Sequence, residues 1–398
     1  MNKNLAALCN IGEKDTRIII GLMSGTSLDG LDIALTKIQG SGTKTRLELL
    51  AFESLEYSSA FRNEIKSIFS KETVYTEMLC AMNAKIGIAH AELVVKTLKK
   101  WKLDASKIDL IASHGQTVFH APINSTHAQG FTNSTLQIGD GDHIARYTGI
   151  ITISDFRQKH VAAGGEGAPL VIYGDYLLFG HGSENRVLLN IGGISNFSFL
   201  PAGRRVEGVF ASDVGPGNTL MNQYMQVNWS KPYDKDGEVA RLGLVNQDLL
   251  NSLLEHPFFH KSHPKTTGPE LFNLSYLEKA QLRSDTQKLE KEHVMATLSM
   301  FTARCIADSL APLKEQYGAL SLYVSGGGHL NKTLMTNLES LLVGTTIENT
   351  SVLGMNPDAK EAVLFSLLAN ETVAGAPIIF PAVSGAPGVC FGKISFPD

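Results

Sequence analysis

The chain has 398 residues, 43% hydrophobic and 19% charged, which is room for two domains of ordinary size with full cores. Its net charge of −4 is spread without a long block of one sign, which argues against a nucleic-acid partner and against an anionic membrane surface. Cys9, Cys80, Cys305 and Cys390 are scattered, with no CxxC and no Cys/His metal spacing, so neither a zinc site nor a disulfide framework is expected and a reducing, cytoplasmic compartment is. The apolar piece Leu5-Ala6-Ala7-Leu8 is too short for a signal sequence, and no later run is expected to reach membrane-spanning length.

In chain order, Arg17-Ile18-Ile19-Ile20 is a β-branched run and reads as a buried strand. It leads into Gly21 to Leu35, where Gly25 and Gly30 bracket Thr26, Ser27 and Asp29. Alternation then resumes at Ile33, Leu35 and Ile38, so the unit is strand, glycine-bracketed turn, strand. Backbone N–H groups in such a turn, with the Thr26 and Ser27 hydroxyls, suit an anionic oxygen; Asp29 and Asp32 could hold a divalent cation directly or through water. The same residue types also make ordinary hairpin turns, so the stretch alone leaves both readings open.

Leu47 to Phe52 reads as a third strand, Ala60 to Lys71 and Met78 to Trp101 as helices, and Ile108 to Ala112 as a strand running into Ser113-His114-Gly115-Gln116-Thr117. A polar cluster at the carboxyl end of a strand is where α/β folds place ligands. His114 is thus either a sugar or phosphate contact or a structural hydrogen-bonder. After Leu136 to Asp142 comes a short helix through Ala145, then a strand at Ile150 to Ile153 ending at Ser154-Asp155-Phe156-Arg157. The Gly/Ala-rich loop Ala162 to Leu170 follows, and a domain boundary is expected near it.

Val187 to Leu200 repeats the opening plan, a strand entering a turn with Asn190, Gly192 and Gly193 and then an alternating strand; two such hairpins are more informative than one. Val206 to Phe210 reads as a strand, placing Asp213 where it hands over to Gly215-Pro216-Gly217 and a helix from Thr219 to Gln226. A carboxylate there can act as a general base or cap the next turn. Tyr233 to Asp236 reads as a charged, exposed segment, Pro264 to Asn273 as a loop, and Val294 to Cys305 as part of one long amphipathic helix. Leu320 to Val324 is a strand running into Ser325 and Gly326-Gly327-Gly328, whose bare backbone could lie against a base or ribose. Asn356 to Phe365 opens a helix on which Glu361 either serves the helix N-terminus or faces a ligand, and Val389 to Ile394 is a last strand.

The ordered set Gly25-Thr26-Ser27-Leu28-Asp29-Gly30, Ser113 to Thr117, Asp155 to Arg157 with Ala162 to Leu170, Asn190 to Gly193, Asp213 with Gly215 to Asn218, and Ser325 to Gly328 resembles the anhydro-N-acetylmuramic acid kinase family over nearly the whole chain. The resemblance implies an α/β fold of the actin, hexokinase and Hsp70 type: two ribonuclease-H-like lobes with ATP in the cleft between them. On that basis one lobe is expected over 1–153 plus about 375–398 and the other over 154–374. It implies that ATP and Mg2+ are held by Gly25, Thr26, Ser27, Leu28, Asp29, Gly30, Leu31 and Asp32, with Asn190, Gly192, Gly193, Gly326, Gly327 and Gly328. It further implies Asp213 as the base for a water that opens a 1,6-anhydro sugar, His114, Gln116 and Gly167 on the sugar side, and Glu361 on the sugar or metal side. The family also implies a cytoplasmic homodimer in cell-wall recycling. The chain departs from the family pattern at His160 (usually acidic), Glu166 (usually Gln), Ile172 (usually Pro) and Pro269 (commonly Arg). The alternatives are a kinase of another anhydro sugar such as levoglucosan, and a non-sugar ATPase of the same fold; against a chaperone-like member, no substrate-binding β domain or helical lid is expected after the nucleotide lobes.

Overall fold

A computed structural model describes residues 1–25, 28–123, 130–381 and 387–398. The chain divides into two compact units, Met1–Leu178 with Met355–Asp398, and Phe179–Gly354. The first therefore takes in 154–178 and 355–374, which the sequence reading assigned to the other lobe. The reason is packing: the helix Lys360–Ala374 lies on the sheet of the first unit and buries an unbroken run from Ala362 to Glu371.

The strands are β1 (Thr16–Ser24), β2 (Gly30–Gln39), β3 (Arg46–Glu56), β4 (Leu110–Ala121), β5 (Ser134–Ile138), β6 (Thr152–Ser154), β7 (Asn185–Ile191), β8 (Ile194–Leu200), β9 (Phe210–Pro216), β10 (Leu320–Ser325), β11 (Thr346–Asn349) and β12 (Lys393–Ser395). In the first unit the sheet runs β12-β6-β4-β1-β2-β3, with β5 paired to β4. β1 is antiparallel to β2, β2 to β3, and β1 is parallel to β4, which is parallel to β6. The second sheet runs β11-β10-β7-β8-β9, with β7–β8 and β8–β9 antiparallel and β7–β10 and β10–β11 parallel. Setting the extra strands β5 and β12 aside, both units share one order: third, second, first, fourth, fifth, with the second strand antiparallel. That is the ribonuclease-H-like plan, present twice.

The first sheet is covered on both faces, and the sequence shows why. Ile19, Ile20 and Leu22 of β1 are wholly buried, because helices cover both faces of a central strand, which then needs apolar residues in succession rather than alternation. One face meets Ile65, Ile68, Met82, Ile86 and Val94. In the second unit Val187, Leu189, Phe197 and Phe199 pack with Val294, Leu298, Phe301 and Cys305. Each such side chain contributes about 1.5–3 kcal/mol on burial.

Two helices, Thr76–Trp101 and Lys291–Tyr317, are long and apolar enough to cross a membrane by length and composition, which the sequence reading did not expect. The second has 72% of its apolar window buried, as a core helix does; the first has 33% buried, with Met82, Ile86 and Val94 set on its sheet and Lys96, Lys99 and Lys100 facing outward.

Candidate functional sites in the two units

In the first unit the turn between β1 and β2 carries Gly25, Leu28, Asp29 and Gly30; Thr26 and Ser27 lie outside the described residues. Leu28 and Leu31 send their side chains into the core, so each has only backbone to offer a ligand. Gly30 is required by close approach: a Cβ there would lie 2.3 Å from the Leu55 carbonyl oxygen. Asp32 is partly buried, and its carboxyl is pushed above the usual range, first by lost hydration and then by the Asp29 and Asp358 charges, against a hydrogen bond with Ser54. Such a group gains from a cation. Among the described residues, however, no three His, Cys, Asp or Glu side chains gather as a metal cage.

His114 and Gln116 are both buried, at 2% and 0% exposure, with their polar atoms engaged by the polypeptide. His114 Nδ1–H donates to the Gly115 carbonyl at 2.9 Å, so its bare Nε2 accepts from Arg157 Nε at 2.8 Å. Burial, then the Arg157 charge, pushes this imidazole down to about 3, which keeps it neutral. Arg157 Nη1 donates to the Gly167 carbonyl at 2.7 Å, and the Gly167 N–H donates to His160 Nδ1 at 2.9 Å. The Gly/Ala loop is therefore a bonded structure within the first unit rather than a boundary, and His160 is a buried acceptor that holds it, lowered to about 4 chiefly by burial. Glu361 is solvent-exposed, yet its carboxyl is raised, chiefly by lost hydration and secondarily by Asp32, with Arg157 opposing. Of the other departures from the family pattern, Glu166 and Pro269 are exposed, whereas Ile172 is buried.

In the second unit, β7 and β8 are joined by Gly192-Gly193. The carbonyls of this turn are tied back: Gly193 O accepts from Gly217 N at 2.8 Å and Thr219 N at 3.1 Å, Gly192 O from Asn218 N at 2.8 Å, and Ile191 O from Asn218 Nδ2 at 3.1 Å. With its carbonyls engaged, the turn has N–H groups to present to an anion. The triple glycine follows β10. A Cβ on Gly326 would lie 2.5 Å from Asn190 Oδ1, and one on Gly328 would lie 2.2 Å from Ile191 Cγ2, so both glycines are demanded by packing on the β7 end. A Cβ on Gly327 would meet nothing nearer than Asn218 Nδ2 at 4.0 Å. Gly327 lines a cavity of about 240 Å³ with Asn218, Met221, Tyr233, Asp236 and Leu330. Asp234, expected to be exposed, is buried, because its two carboxylate oxygens accept the Val239 and Ala240 N–H groups at 2.9 and 3.0 Å.

Asp213 lies within β9 rather than after a strand; Val206–Gly208 is a 3-10 turn, and β9 begins only at Phe210. Pairing with β8 slips at this point, between Ser195 and Asn196, which is a β-bulge that re-aims the chain. Asp213 Oδ2 accepts the Thr267 N–H at 2.9 Å, and the Asp213 N–H donates to Lys265 O at 2.9 Å. Ser212 Oγ sits 2.7 Å from His263 Nδ1 and accepts the Lys265 N–H at 3.0 Å. Burial raises the Asp213 carboxyl, and the Thr267 N–H partly offsets this. Thr267, His263 and Ser212 were not singled out from sequence; only the Lys265-Thr266-Thr267 loop, with its hydroxyls, marked the place.

A ribonuclease-H-like unit present twice, with a glycine turn after the first strand of each, is the architecture of the two-lobed ATPases that include sugar kinases, actin and Hsp70. Within that class, the model of the family described as anhydro-N-acetylmuramic acid kinase matches residues 17–397. A protein of that name from Pseudoalteromonas atlantica is 50% identical over 100% of both chains. One from Caldanaerobacter subterraneus subsp. tengcongensis is 40% identical over 98% of this chain and 99% of its own, and one from Bacillus cereus is 38% identical over 95% and 99%. The chain belongs to the anhydro-N-acetylmuramic acid kinase family.

Proposed function

We propose that this chain is an ATP-dependent kinase that hydrolyses the 1,6-anhydro bridge of anhydro-N-acetylmuramic acid and phosphorylates O6, giving N-acetylmuramate 6-phosphate and ADP. Asp213 is the observation that carries the reading: a partly buried carboxylate with its acidity weakened by burial, fixed by the Thr267 N–H in the unit that holds the second glycine turn. An anhydro sugar has no O6 hydroxyl to deprotonate, so the base must act on water. Water adds to C1 as Asp213 takes its proton, and the C1–O6 bond breaks. O6 bonds to the γ-phosphorus, and the bridging P–O bond breaks to release ADP. The protein's part is placement and charge neutralisation.

Gly25 to Asp32, Asn190 and Gly192-Gly193 are assigned to the phosphates, and Gly327, which a side chain would obstruct, to the nucleoside. A bound Mg2+ would offset charge on the phosphates; Asp32, with Asp29 beside it, is its best holder. Mg2+ commonly keeps several waters and needs only one or two carboxylates, so a site without a three-carboxylate cluster among the described residues can hold it. Glu361, close to the Arg157 charge, is assigned to the sugar side, where His114 and Gln116 act through neighbours rather than by touching substrate. A cytoplasmic homodimer working in cell-wall recycling completes the proposal. Turnover in ¹⁸O-water with γ-labelled ATP tests the chemistry: one solvent oxygen enters at C1 and the label appears on O6. Label released only as free phosphate contradicts it.

A further inference from the structure

Beneath the first turn lies a row of buried side chains whose hydrogens admit one arrangement. Gln116 Nε2 is 3.2 Å from both Gly25 O and Thr117 O. Carbonyl oxygens only accept, so the amide nitrogen must face them and Oε1 must face Ser24 Oγ, at 2.6 Å. Oε1 also only accepts, so Ser24 gives it its single proton, although Gly30 O lies at 3.3 Å. Ser24 Oγ in turn accepts from the Tyr57 hydroxyl at 2.8 Å. Having spent its proton, Tyr57 accepts from His90 Nε2–H at 2.8 Å. All four side chains are buried, His90 completely. Burial pushes the His90 imidazole down to about 4, so it is neutral, and its other nitrogen has no hydrogen-bond partner among the described residues. Tyr57 has a second hold on the turn, since its backbone N–H donates to Asp29 O at 2.9 Å. One residue thus grips both limbs, Ser24 at the end of β1 and Asp29 just before β2.

We propose that His90, Tyr57, Ser24 and Gln116 form a one-way hydrogen-bond relay that sets the Gly25 carbonyl and thereby positions the first glycine turn for the nucleotide. The inference rests on the reading of Gly25 to Asp32 as a nucleotide turn. Tyr57 and His90 are positioning residues. They lie behind the turn, with both side chains buried. Removing a link leaves a buried donor or acceptor unpaired and frees the carbonyl to turn.

Calorimetric titration of the full chain with a non-hydrolysable ATP analogue, beside thermal unfolding of the free protein, tests this. Tyr57→Phe is expected to weaken nucleotide binding about tenfold, the scale of one orphaned buried partner. His90→Leu should follow it. His90→Gln, which returns an N–H near the place of Nε2, should bind within about twofold of the original chain. KM for the sugar should hold in all three. If Tyr57→Phe and His90→Leu lower Tm but leave nucleotide affinity unchanged, the residues are merely structural and the relay is overturned. Should Tyr57→Phe fail to fold, the His90 pair carries the comparison, and equal affinities for Gln and Leu overturn it. If the unaltered chain binds no nucleotide, the nucleotide reading itself fails, which is a separate result from a relay that fails in a chain that binds.

Discussion

Asp213 shows how a single residue's surroundings set its chemistry. Lost hydration makes its carboxylate a stronger base than an exposed aspartate, and the one N–H from Thr267 orients it without cancelling that effect. Asp213→Asn keeps the size and an acceptor for Thr267 but cannot take a proton, so kcat should fall by about 10²–10⁴-fold while nucleotide affinity holds. The pH dependence follows with its sign. In the proposed mechanism the base works only when ionised, so kcat/KM should be present above the folded-state pKa and lost as pH falls through it, at a pH above the usual aspartate range. Stability runs the other way. A carboxyl raised by folding favours the protonated native state, so the unmodified protein loses stability as pH rises through that window. Asp213→Asn should therefore unfold at the same or a higher temperature at neutral pH, and this excess should vanish in acid. A variant that loses activity together with a large drop in Tm would point instead to a capping role for the aspartate.

Among the elements, the triple glycine divides its labour. Gly326 and Gly328 are pressed against Asn190 and Ile191, while Gly327 faces the cavity with Asn218 and Leu330. Gly328→Ala should cost on the order of 1–3 kcal/mol through overpacking and show as a lowered Tm, with KM for ATP little moved. Gly327→Val should leave Tm in place and raise KM for ATP by about tenfold or more, because a misplaced ligand is costly in turnover. Equal effects of the two substitutions on KM would contradict this division. Three glycines in a row were visible in the sequence; their separate duties were not, since these depend on a β7 end far away in the chain. β1 was legible because a strand covered on both faces must be apolar throughout. The start of β9 was misread because Val206 to Phe210 looks like a strand by composition yet opens with a 3-10 turn. His90 was invisible for a different reason: it is one polar residue on an amphipathic helix, and only the fold brings it to Tyr57 and Ser24.

At the scale of the whole molecule, the repeated hairpin in the sequence corresponds to a repeated sheet, and each copy ends its first strand in a glycine turn. The departures at His160 and Ile172 are absorbed by packing: His160 accepts from Gly167, and Ile172 is buried. Glu166 and Pro269 are exposed, and the substrate assignment rests on the family match over residues 17–397. The most direct test of that assignment is ADP release by the purified chain with anhydro-N-acetylmuramic acid, levoglucosan, free N-acetylmuramic acid and glucose under one set of conditions. The expected result is turnover with the anhydro-muramyl sugar far above the other three; turnover with glucose and none with either anhydro sugar would contradict ring opening as the reaction.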